Sequence, residues 1–129
     1  MRLLTVVPRT LLCCISVVFM GAISASAQAD ADKPRYRICI TEAAEQAWET
    51  KIFSMSDNDA YTQNLDGQFE KYMRKITDGK HGGSCRVAGG YKTPEETLAR
   101  FKQTIQKINE DIKSRGISIT YVDWVPGQK

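Results

Sequence analysis

The spacing of apolar positions changes repeatedly along the chain, and each change marks an element. Arg35 to Ile40 alternates, with Tyr36, Ile38 and Ile40 on one side and Arg35, Arg37 and Cys39 on the other. That two-residue period predicts a half-buried strand. Thr41 to Glu49 has no clean period. Its Ala and Glu content favours a helix, but so short a segment is marginal alone. It reads as a broad turn, with one helical turn at most, leading into a second strand at Thr50 to Met55. Tyr61, Leu65, Phe69, Tyr72, Met73 and Ile76 then recur at steps of three and four. They predict one amphipathic helix running to about residue 77, with Ser56 and Asp57 as its caps. Gly67 interrupts that stripe and offers a second place for the helix to start.

Residues 78–83 are a Gly-rich loop, and Ser84 to Ala88 a short strand. Thr93-Pro94-Glu95-Glu96 combines an N-cap, a first-turn proline and a capping-box glutamate. Leu98, Phe101, Ile105, Ile108 and Ile112 follow as a helical stripe that stops at Gly116. Ile117 to Trp124 closes the chain as a strand, ended by Pro126. The predicted order is β-β-α-β-α-β. Helices that connect strands must cover a sheet face, and two helices can cover one face of about four strands. The expectation is an α+β two-layer sandwich, a single domain over 35–126, with both helices on one face.

Ahead of that domain, Arg2, the apolar run Leu11 to Gly21 and the small residues Ala25-Ser26-Ala27 form the three parts of a secretory signal over residues 1–27. The apolar run is shorter than the ~20 residues an ordinary membrane span needs. Cleavage after Ala27 or Ala29 leaves a flexible lead-in over 28–34, no stable membrane anchor, and a periplasmic or secreted protein. Arg2 and Arg9 depart with the signal. Of the 18 Lys and Arg, 16 then face 15 Asp and Glu. So balanced a chain argues against nucleic acid and against a polybasic membrane tether. Cys13 and Cys14 depart too, and the remaining pair, Cys39 and Cys85, reads as one disulfide. Closing the loop between them is worth about 4 kcal/mol in the chain-entropy account.

The frame of Tyr36, Cys39, Phe53-Ser54, Phe69, Cys85, Gly116 and Trp124 resembles a loose set of small uncharacterised exported proteins of Gram-negative bacteria. That resemblance implies export and a disulfide-tied fold, and carries no activity. Arg86-Val87-Ala88-Gly89-Gly90 followed by Thr93 to Ala99 is similar to the strand, glycine, helix half of sporulation-related repeat domains. This second likeness implies binding to cell-wall glycan.

Candidate chemistry is sparse. Gly89-Gly90-Tyr91-Lys92-Thr93 joins a strand to a helix start, as phosphate cradles do, but lacks the full G-x-x-x-x-G-K-[ST] spacing. Asp57-Asn58-Asp59 begins like a calcium loop and lacks the later acids and the glycine. His81 could serve a small hydrolase as general base, but Ser84 nearby has no acidic orienter. No metal and no cofactor is expected. The function that fits best is a non-enzymatic exported module acting on a protein partner, an inhibitor or immunity protein for example. A glycan-binding domain is the alternative, and a small hydrolase the third reading. If Tyr36, Ile38 and Ile40 face the helices, the other face is left partly open. Arg35, Arg37 and Trp124 would then gather there beside the disulfide, Trp and Arg being the types favoured at binding hot spots.

Overall fold

The computed structural model describes residues 30–127. The expected secretory signal over 1–27 and the start of the expected lead-in lie outside the described residues. Asp30 to Lys33 make a tight turn in which Lys33 donates to the Asp30 carboxylate. Five strands follow, β1 (Pro34–Glu42), β2 (Gln46–Glu49), β3 (Phe53–Ser56), β4 (Ser84–Val87) and β5 (Ser118–Tyr121). Three helices join them, α1 (Asp57–Thr62), α2 (Leu65–Ile76) and α3 (Pro94–Ser114). The fold is α+β, with the strands in one sheet.

β1 is the central strand and pairs antiparallel with β2, β3 and β4. The registers Ile40↔Glu49 and Arg37↔Phe53 leave one extra residue in the 50–52 segment, so β2 and β3 are two halves of one bulged strand on the same edge of β1. Thr50 sits in the bulge, fully buried, and its hydroxyl accepts from Cys39 N–H in place of a backbone carbonyl. The segment 41–49 is therefore not a broad helical turn. Its first residues complete β1 and its last form β2. The alternation of Ala47 and Glu49 against Trp48 decides this once a partner strand and a covering helix are present.

β5 lies parallel to β2, and β4 takes the far edge of β1. All strands except β1 thus run in one direction. The connection through α1 and α2 carries the chain from β3 to the β4 edge, and α3 returns it to β5 on the other edge. The helices lie on opposite faces. Leu65, Phe69 and Met73 of α2 pack with Cys39 and Trp124. Phe101 and Ile105 of α3 pack with Ile38 and Ala88, and Ile112 packs with Ala47 and Ile117. The two long helices therefore do not share one face, contrary to what the element order alone suggests. Two crossovers that traverse a sheet in opposite directions share one hand only if they use opposite faces, and such connections almost always share the right hand.

The first predicted helix is broken. Asn64 takes a left-handed conformation (φ 51°) and caps α2, its side chain accepting from Gly67 N–H. A Cβ on residue 67 would stand 2.7 Å from Asn64 Cγ, so glycine leaves room for the capping amide. Tyr61 falls out of the apolar stripe and is solvent-exposed. α3 begins as predicted, with Thr93 Oγ1 accepting from Glu96 N–H, and Gly116 (φ 77°) follows its end. Cys39 and Cys85 face each other across β1 and β4 and are disulfide-bonded. Such a bridge belongs to an oxidising, non-cytoplasmic environment. Among the described residues no helix is long and apolar enough to cross a membrane.

Candidate functional site

Arg35 and Arg37 project from β1 toward the α2 side and converge on one carboxylate, Asp57 at the start of α1. Arg35 Nη1 donates to Asp57 Oδ2 at 2.9 Å, and Arg37 Nη2 donates to Asp57 Oδ1. Each guanidinium makes a second hydrogen bond, Arg35 Nη2 donating to Ala88 O and Arg37 Nε to Met55 O. Asp57, read from sequence as a cap, is thus an ion-pair hub, while Ser56 alone caps α1 by accepting from Asp59 N–H. The Arg37 side chain is only 9% exposed and the Asp57 side chain 43%. The buried guanidinium is fixed from two directions, which preorganises it but leaves it little to offer a ligand.

Trp124 lies on the same side of the sheet but is 4% exposed. Its indole packs on the rings of Phe69, Tyr72 and Phe53. The open face expected around Arg35, Arg37 and Trp124 is closed by α2, because α2 and α3 divide between the two faces. Arg35 and Arg37 are brought together; Trp124 goes into the core. His81 is half-buried with its imidazole against the Trp48 indole, centroids 5.4 Å apart. Its backbone N–H donates to Thr77 Oγ1. Among the described residues no three His, Cys, Asp or Glu gather as metal ligands.

Two clefts flank the connection from β4 to α3, and Gly89 and Tyr91 line both. The larger, about 940 Å³, has Arg35, Tyr36, Ser54, Asp57 and Lys92 on its walls. The smaller, about 470 Å³, runs between β4 and α3 and is lined by Arg86, Val87, Arg100, Phe101, Ile105 and Ile108. Among the described residues β4 pairs with β1 alone, so its outer edge is free. Ala88 N–H donates to Tyr36 O. In an antiparallel ladder the alternate residue then points its polar groups the other way. Val87 accordingly turns its N–H and C=O outward. Two residues back along β4, Cys85 N–H donates to Asp66 of α2, which closes that part of the edge. Arg100 lies over the Tyr91 ring, 4.7 Å from its centroid, and reaches Glu96 at 3.2 Å. Arg86 and Arg100 border the groove, over an apolar floor of Phe101, Ile105 and Ile108.

Sequence reasoning did not single out this groove. Arg86 and Val87 enter the sequence reading only through a short strand and the repeat-domain likeness, and Tyr91 only through the Gly89–Thr93 turn, because a sequence does not say which strand lies at an edge. No protein-family model, no curated protein and no solved structure matches the chain.

Proposed function

We propose that the protein is an exported, non-enzymatic module that binds a protein partner by adding an extended segment of that partner to the β4 edge. The observation that carries the reading is the outward-facing Val87 backbone beside the apolar, arginine-rimmed groove under α3. Main-chain pairing supplies affinity in strand addition, and neighbouring pockets supply specificity. Two arginines with no acidic residue lining the groove favour a partner segment that carries carboxylates. Tyr91 and Arg100 are of the residue types that dominate binding energy. An inhibitor or immunity role in the periplasm or outside the cell fits such a module.

Val87→Pro tests the reading. Proline removes only an outward N–H and is tolerated on an edge strand. Partners captured from a periplasmic extract would be purified and their affinity measured for wild type, Val87→Pro and Arg86→Glu. We expect each variant to bind at least about tenfold more weakly, the ~1.4 kcal/mol equivalent, with an unchanged circular dichroism spectrum. Affinity that survives Val87→Pro would exclude strand addition. The larger cleft, with Tyr36 beside hydroxyl-bearing Ser54, supports the glycan alternative. Co-sedimentation with purified peptidoglycan, lost on Tyr36→Ala, would favour it.

A further inference from the structure

Glu49 is an acidic residue where the alternation of β2 calls for an apolar one. It follows Ala47 on the face covered by α3 and is 5% exposed. Opposite it on α3 stands Asn109, whose Nδ2 donates to Glu49 Oε1 at 3.2 Å. The other two oxygens of this pair, Glu49 Oε2 and Asn109 Oδ1, are buried and have no hydrogen-bond partner among the described residues. Both are acceptors if Glu49 is ionised, and a buried acceptor without a donor is costly. One proton resolves both. A carboxylic acid carries a donor on its second oxygen, and an acid and an amide facing each other can exchange two hydrogen bonds.

We infer that Glu49 is held as a neutral carboxylic acid whose Oε2–H donates to Asn109 Oδ1, closing a reciprocal pair that pins α3 to the sheet, and that its ionisation loosens α3 as pH rises. The surroundings favour the neutral form. In the sheet Glu49 is flanked by Ile40 of β1 and Tyr121 of β5. α3 contributes Asn109 and, one turn further, the exposed Lys113. Burial pushes the Glu49 carboxyl above the usual glutamate range, against the hydrogen bond from Asn109 and the charge of Lys113. The sign follows from proton binding. Above about pH 4.3, the ordinary glutamate value, the unfolded chain has released this proton while the native state keeps it. Stability from this site is therefore complete at low pH and falls as pH rises, until the native carboxyl also ionises. Over that window the folding equilibrium constant drops by up to about tenfold per pH unit. The pair sits beneath the helix that forms one wall of the β4 groove.

Glu49→Gln reproduces the neutral acid, since its amide can donate to Asn109 Oδ1 and accept from Nδ2. Urea unfolding of wild type and Glu49→Gln between pH 5 and 9 should diverge, with the variant gaining relative to wild type as pH rises. Amide exchange over 105–112 should be faster in wild type than in the variant at alkaline pH, and equal at pH 5. The carbon-13 shift of the Glu49 carboxyl, assigned by its loss in the variant, should titrate above about pH 4.3, the ordinary glutamate value. A Glu49 carboxyl that titrates at or below about pH 4.3, or stability curves that stay parallel across the range, would overturn the inference.

Discussion

Truncating Trp124 to alanine tests whether this tryptophan is core. The indole is 4% exposed, with Phe69, Tyr72 and Phe53 at centroid distances of 5.1, 6.1 and 6.4 Å. All three lie in the range where aromatic pairs add about 0.5–1.5 kcal/mol each beyond burial. A buried aromatic of this size hides about 150–250 Å², worth about 4–6 kcal/mol before the part alanine retains. Measured truncations of buried Phe and Trp cost about 3–5 kcal/mol, and we expect Trp124→Ala to fall there. Against a domain stability of about 5–15 kcal/mol, that is a large share. With a urea m-value of about 1–1.5 kcal/mol/M, the midpoint should fall by about 2–5 M. The assay is equilibrium unfolding followed by far-ultraviolet circular dichroism, because the variant also removes a fluorophore. Trp124→Phe, which keeps a ring against Phe69, should recover much of the loss. A midpoint change below about 0.5 M at unchanged slope would refute the packing and return Trp124 to the surface.

Gly83→Ala should destabilise by about 1–3 kcal/mol, at the upper end. Its Cβ would overlap Thr41 Oγ1 and stand 2.5 Å from Phe69 Cε1, a ring that is wholly buried; a thermal melt indistinguishable from wild type would contradict this. Cys39→Ser should lower stability by about 2–5 kcal/mol, and the native protein should weigh 2 Da less than its reduced form, as loss of two thiol hydrogens requires. Asp57→Ala leaves the buried Arg37 without its carboxylate, and because Asp57 is partly exposed the cost should lie somewhat below the about 3–5 kcal/mol of a fully buried pair. Denaturant unfolding should find it more damaging than Arg35→Ala, and equal effects would argue against a buried hub. Intact mass of exported material should fit a chain starting at Gln28 or Asp30, and an unprocessed Met1 terminus would exclude signal cleavage.

Local chemistry was sufficient for several elements. The Thr93-Pro94 start and Gly116 stop of α3, the alternation of β1 and the Cys39–Cys85 pairing each depend on neighbours within a few residues, or on there being only two cysteines after residue 27. Ser56 as a cap was legible for the same reason. What the sequence could not supply was the direction in which each connection crosses the sheet. Periodicity states that Tyr36, Ile38 and Ile40 share a side; it does not say whether the opposite side meets solvent or a helix. The tertiary structure put α2 there, which buried Arg37 and Trp124 and moved the exposed Arg and Tyr character to Arg86, Tyr91 and Arg100 at the β4 edge. It also made Glu49 a core residue. Burial arises from contacts between segments far apart in the chain, such as Glu49 with Asn109, and no local pattern records them.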